Sequence, residues 1–432
     1  MDCTQFARRL WMRCVSRIAV YRRALTRTFD LQTDFFFGID LLMAAGGVRL
    51  NSASKPLRRC WNVYRWAICL PALAVYWNTV LNAVRGEQLE IVLSSLQASV
   101  ANVVTMVRVV LLLWYYDSLA KVRHFVNRRH YGRDLQASAD ARSGAFYHVR
   151  KLVTRVNGLM LVFGASIHAI DTSNHHFLKM PFDVKYPKVE FICSEFTKLA
   201  IIGWAMTVSL VFLVLYMILK GLTTEFEVIA QTFSTVLDNT EQRVQRKLES
   251  ETDNYRRLRY KKKYYFWKYI QEEFGECIKL NIEILTMKNK IRPLLNANFL
   301  LIYYSTAVIL ANGAIYLSQM KTATLFSLQT LSYCIWICFD CALLTRMVNL
   351  LTEANESIGW QVYDLDWPSK LRCDKRFAKQ YRSVRETMAT VIAVSQQPLR
   401  LNCYGLFEFT QERFWELLNM AYSLYTFIRD FL

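Results

Sequence analysis

The residues whose spacing most plainly supports chemistry lie at the end of the chain. Glu412, Glu416, Asn419, Ser423, Thr426 and Asp430 follow one another at steps of 4, 3, 4, 3 and 4. Those steps trace one continuous face of an α-helix. The rest of that helix is apolar, from Phe414 and Trp415 to Phe427 and Ile428. A polar stripe facing lipid is costly, so such a stripe faces protein or a water-filled path. Two readings stay open. Several copies around an axis would line a pore, whose carboxylates at Glu412, Glu416 and Asp430 would favour cations. Alternatively, Glu412 and Glu416 lie outside the membrane, and Asn419 and Ser423 hydrogen-bond to neighbouring helices.

A second group is mostly apolar. Leu93, Gln97, Phe163, Gly164, His168, Trp204, Met206, Tyr333 and Trp336 fall in the outer halves of four hydrophobic segments. Apolar and aromatic walls with a few polar groups suit a small, mostly apolar ligand. Ordinary helix packing is the alternative for each residue. His168 would either donate a hydrogen bond to a ligand or sit at the outer water boundary.

Catalytic and metal chemistry find no footing. There is no GxSxG, no Walker-type loop and no HExxH, so the reading is not an enzyme, and no cofactor is implied. Cys334, Cys338 and Cys341 sit at helical spacing in an apolar run and read as buried thiols rather than metal ligands. Asp340 is a lone acid in an apolar segment, expected to pair with Arg346 or a neighbouring helix.

The elements that must position these groups are helices. Hydrophobic residues make up 53% of the 432, with 26 Phe, 23 Tyr and 11 Trp but only 14 Gly and 7 Pro. Several soluble domains would carry more turn residues. Apolar stretches near the roughly 20 residues that cross a bilayer recur at 61–84, 91–116, 152–170, 196–219, 293–317, 323–348 and 406–430. The expected fold class is all-α: a seven-transmembrane helical membrane protein. Its regions are 1–60 (N-terminal, with short surface helices), 61–220 (spans 1–4, the ligand-binding bundle) and 221–292 (a charged helical linker). Then come 293–348 (spans 5–6), 349–400 (anchor helices) and 401–432 (the final pore-lining span).

Charge sets the orientation. The net charge is +19, and 41 of the 54 Lys and Arg fall in 1–60, 117–151, 221–292 and 346–395. An intracellular N-terminus and extracellular C-terminus place all four stretches in the cytoplasm, as the positive-inside rule requires. This accounts for the charge without nucleic acid. It also argues against a G-protein-coupled receptor, whose N-terminus is outside.

With the spans in place, several short motifs fall into order. Tyr333-Cys334 precedes Glu353, Ala354 and Ser357, then Tyr363 and Trp367, Gln397-Pro398-Leu399, and Ala421-Tyr422-Ser423-Leu424-Tyr425-Thr426. Pro181-Phe182-Asp183 with Pro187 lies upstream. In their order and spacing these resemble the insect odorant receptor family, over nearly the whole chain. The resemblance implies an odour-gated, nonselective cation channel in the plasma membrane of a sensory dendrite. It also implies a tetramer around a pore lined by the last helix, with helices beyond the membrane anchoring the subunits. Its implied partners are a co-receptor subunit in a heterotetramer, a small volatile odorant, membrane lipid and permeating cations. The co-receptor carries a longer insertion between spans 4 and 5, so this chain resembles an odour-tuning subunit. Phe427, one turn from Ser423, is the candidate gate residue. Two further readings are a gustatory-type channel working without the co-receptor, and a non-conducting transporter or scaffold.

Overall fold

A computed structural model describes residues 29, 33–36, 38–51, 54–86, 89–128, 135–166, 186–251, 255–320, 324–365, 367–372, 374–399 and 401–431. All of 1–28 and the loop 167–185, which contains His168, therefore lie outside the described residues. Among the described residues the chain is almost wholly helical. Its β structure there is an isolated antiparallel bridge between Asn402 and Glu408.

A short α1 (Ile39–Ala45) precedes α2 (Lys55–Arg85) and α3 (Leu89–Trp114). An amphipathic α4 (Tyr116–Arg128) follows one residue later, then α5 (Leu135–Ser166). The two longest helices are α6 (Pro187–Ser234) and α8 (Tyr255–Gln319), joined through α7 (Val236–Glu249). Next come α9 (Leu325–Tyr363), α10 (Trp367–Lys370), α11 (Ala378–Ser395) and the final α12 (Gln411–Phe431).

The charged linkers are not separate elements. At 1.5 Å per residue, α6 with 48 residues is about 72 Å long and α8 with 65 about 98 Å. A hydrocarbon core is about 30 Å thick, so most of α8 lies beyond it. Pro293 stands inside α8 where charged sequence gives way to apolar sequence. Among the described residues five helical stretches are long and apolar enough to cross a membrane: Lys55–Arg85, Ile91–Trp114, Lys188–Ser234, Arg257–Gln319 and Ser327–Tyr363. The two remaining expected spans fall short of that measure for different reasons. The span expected at 152–170 is described only as far as Ser166. The last carries Glu412, Arg413, Glu416, Arg429 and Asp430 within 21 residues.

The core runs along α6. Ten consecutive residues, Leu210–Leu219, are at most 1% exposed. A helix that is apolar all round sits in the middle of its bundle, and α6 packs against α2, α3, α5, α8 and α9. By contrast α2 turns Val63, Trp66, Leu70 and Trp77 outward, a lipid-type surface. Two charged ties fix the ends of helices. Arg142 on α5 meets Glu225 on α6 through a buried fork, Nε to Oε1 at 2.9 Å and Nη2 to Oε2 at 2.7 Å. Arg123 on α4 donates to Asp40 at 2.9 Å and also to Asp34, and these two carboxylates raise its pKa against the pull of burial.

Candidate functional site

Four helices line a partly open chamber. α3, α5, α6 and α9 wall two adjoining lobes of about 190 and 220 Å³. Phe163, Ala205, Val208, Gln329 and Tyr333 belong to both lobes. An apolar cavity of roughly 150 Å³ holds benzene, so each lobe has room for a ring-sized molecule.

The local sequence explains the space. α3 is rich in Val and Leu, yet Ser94, Gln97, Ala98, Ala101, Asn102 and Thr105 recur at three- and four-residue steps on its chamber face. Ser94, Ala98, Ala101 and Thr105 fill less space on that face than the Val and Leu elsewhere on the helix. α9 supplies Leu325, Leu328, Gln329, Ser332, Tyr333 and Trp336 at the same period. Its start is fixed by a capping box, with Ser327 N donating to Thr324 Oγ1 at 3.1 Å and Thr324 N donating to Ser327 Oγ at 2.9 Å.

The chamber's polar groups are largely paired with one another. Trp204 Nε1 donates to Asn102 Oδ1 at 2.8 Å, and Gln329 Nε2 donates to Ser166 Oγ at 2.7 Å. Gln97 Nε2 lies 3.8 Å from Cys334 Sγ. The walls are otherwise apolar, as a site for a small apolar ligand requires.

Of the nine residues expected at a ligand site, five line the chamber: Gln97, Phe163 and Trp204 on three helices, with Tyr333 and Trp336 on the fourth. Three lie elsewhere. Leu93 packs with Ile315 and Tyr316, and its carbonyl accepts from Asn312 Nδ2 at 2.8 Å, tying α3 to α8. Gly164 abuts Ile202 where α5 meets α6, and Met206 packs against the main core. His168 lies outside the described residues. Asn102, Thr105, Ser166 and Gln329 were not singled out from sequence. The small and polar repeat on α3 is the signal that marks the first two. A larger hollow of about 450 Å³ between α4 and α8 is open and charged, with Lys121, His124, Arg128 and Glu283 on its walls.

The last helix splits into two faces. Phe414, Leu417 and Ala421 are buried, and α12 packs against α8 and α9. Glu412, Glu416, Asn419, Ser423 and Asp430 are exposed, with Thr426 half-buried. Trp415, Tyr422 and Phe427 flank them, also exposed. Arg413 pairs with Glu416 and Arg429 with Asp430, so two of the three carboxylates are partly neutralised. A tight loop holds this helix in place, turning through Tyr404 and Gly405 at positive φ of 54° and 87°. Phe409 stacks on Phe299 of α8 with centroids 4.3 Å apart, and Lys288 Nζ donates to Leu399 O at 3.0 Å. Among the described residues no group of His, Cys, Asp and Glu could hold a metal ion.

The fold is similar to that of the insect olfactory receptor OR5 from Machilis hrabei in complex with eugenol. The TM-score is 0.68 at 10% identity, over 91% of this chain and 97% of that one. A second structure of the same receptor gives 0.63 at 11% identity, over 90% and 96%. No curated protein matches the sequence. The 7tm Odorant receptor family matches residues 88–422, a stretch that holds all four walls of the chamber and most of α12. This chain belongs to the 7tm odorant receptor family.

Proposed function

We propose that this chain is the odour-tuning subunit of an odorant-gated, nonselective cation channel, assembled as a heterotetramer with a co-receptor subunit. The observation that carries the reading is the chamber. In a member of an odorant receptor family, an apolar cavity sized for a ring lies between four helices, three of them long and apolar enough to span a membrane. Eugenol, bound by the Machilis hrabei receptor, is a small phenol of the size and polarity such a cavity suits. The ligand is a small volatile with an apolar body. It opens the channel by binding the open conformation more tightly than the closed one.

The pore is lined by the exposed stripe of α12, from Glu412 to Asp430, with Phe427 as the gate. The long helical extensions α7, α11 and the first half of α8 lie in the cytoplasm and anchor subunit to subunit. The basic stretches support this orientation, with the N-terminus intracellular and the protein in the plasma membrane of a sensory dendrite.

The test is whole-cell recording against an odour panel, with the chain expressed alone and with a co-receptor. Odour-evoked cation current that needs both subunits is the expected result. Current from the chain alone would remove the co-receptor from the reading, and odour flux without current would remove the channel.

A further inference from the structure

Arg108 on α3 and Asp340 on α9 form an ion pair, Nη1 to Oδ2 at 2.8 Å. Both are buried, at 4% and 1% exposure. The sequence marked Asp340 as a lone acid and offered Arg346 or a neighbouring helix as partner. The partner is Arg108, 232 residues away in the chain.

The pair is incomplete. A guanidinium is a planar fork that suits a carboxylate through two parallel bonds. Arg142 and Glu225 meet in that way in this same chain. Arg108 and Asp340 do not. Arg108 Nε, Arg108 Nη2 and Asp340 Oδ1 are buried, and none has a hydrogen-bond partner among the described residues. Leaving charged donors buried and unmet is costly, so the arrangement favours a polar group that completes it.

The geometry shows where that group would come from. Thr105, one helical turn before Arg108, lines the chamber. Trp336, one turn before Asp340, lines it too. Side chains on a helix lean toward its N-terminus. The chamber lies on the N-terminal side of both residues, so both lean toward it. Trp336 Nε1 is itself buried with no hydrogen-bond partner among the described residues. Arg108 and Asp340 line neither lobe themselves, so the three unmet donors, Arg108 Nε and Nη2 with Trp336 Nε1, are buried just behind the wall at one end of the chamber.

We propose that Arg108 and Asp340 set the chemical class of the ligand: an apolar body with one terminal oxygen that accepts a hydrogen bond, as in a ketone, ester or alcohol. Arg108 is the donor, and Asp340 holds it in place as a positioning residue. The inference rests on the chamber being the odorant site.

The test records odour-evoked current from the full chain with its co-receptor. The probes are n-alkanes, methyl ketones and primary alcohols of matched chain length. Wild type should respond to the oxygenated members at concentrations at least about tenfold below those for the alkanes, the scale of a hydrogen bond to a charged group. The double variant Arg108→Gln/Asp340→Asn removes both charges, keeps polar side chains at both positions and shortens the one at 108. It should lose that ratio and leave the alkane response in place. If ketones and alkanes weaken equally, the pair is purely structural and the inference fails. Should the double variant not reach the cell surface, Arg108→Lys keeps the charge but loses the fork, and a wild-type ratio there also overturns the inference. Current to other odours with silence across the panel overturns the ligand class alone. Silence to every odour overturns the channel reading instead.

Discussion

Trp204 and Asn102 hold α6 against α3 by a hydrogen bond of 2.8 Å across the chamber. Each side chain also forms part of the wall it braces. The bond therefore does two things: it fixes the cavity's width, and it takes up an amide oxygen that would otherwise face an apolar ligand.

Trp204→Phe removes the donor and keeps most of the ring. A net hydrogen bond is worth about 0.5–1.5 kcal/mol, so the expected change in odour potency is roughly 2–10-fold. Asn102→Leu should cause a similar change, and the double variant should not add to either single one. Dose–response curves for the four proteins check this. Additive effects would mean the two residues act separately.

Periodicity and charge in the sequence carried most of the architecture. The 4-3-4-3-4 stripe placed Glu412 to Asp430 on one face of α12, and that face is the exposed one. What the sequence could not carry is distance between helices. Leu93 and Gln97 sit one turn apart on α3, yet Gln97 faces the chamber and Leu93 faces α8. That difference depends on where α3 crosses its neighbours, and hydropathy has no term for crossing. The partner of Asp340 was hidden for the same reason. Arg108 is more than two hundred residues away, and only tertiary packing brings the two together.

Arg142 and Glu225 give a sharper test of packing between α5 and α6. Both are buried, and the fork uses both carboxylate oxygens. Arg142→Met removes one side of this buried fork, and breaking a buried pair from one side costs about 3–5 kcal/mol. Arg142→Met/Glu225→Met removes both charges and should cost clearly less. Thermal unfolding in detergent, followed by size-exclusion fluorescence, separates the two. A double variant as unstable as the single would show that shape, not charge, makes this contact.

His148 predicts a pH effect of definite sign. It stacks on Tyr216 with centroids 6.4 Å apart, and burial, with the charges of Lys220 and Lys151, lowers its pKa below the usual 6.5. Above that value the ring is neutral in both folded and unfolded chain, so it contributes no pH dependence. As pH falls through 6.5 the unfolded chain takes up the proton first, and the folded state loses stability. The melting temperature should therefore fall more steeply below 6.5 in wild type than in His148→Gln. Equal slopes would remove His148 from the account.

The exposed stripe of α12 predicts unequal roles for its acids. Arg413 partners Glu416 and Arg429 partners Asp430, whereas among the described residues no ion pair includes Glu412. Carboxylates lining a narrow path raise the local cation concentration, and an unneutralised one does so most. Under the pore reading, Glu412→Gln should lower single-channel cation conductance by roughly twofold or more, and Asp430→Asn should lower it less. Asn419→Leu and Ser423→Ala should change conductance or block. If all four variants conduct like wild type, the stripe packs against protein and lines no pore.

At Gly359 α9 packs closely against α11. A Cβ there would collide with the Ser395 side chain, and Asn355, one turn earlier, donates from Nδ2 to Ser395 O at 2.7 Å. That bond caps the end of α11, so the helices cannot simply move apart. Overpacking of this kind costs about 1–3 kcal/mol, and Gly359→Ala should lower stability by that amount. Ser395→Ala removes the hydroxyl that clashes, and in combination it should recover part of the loss. The recovery separates two explanations. If the glycine matters for close approach, the second change rescues the first. If it matters only as a flexible point within α9, the double variant remains as unstable as Gly359→Ala, and the close-approach account is wrong.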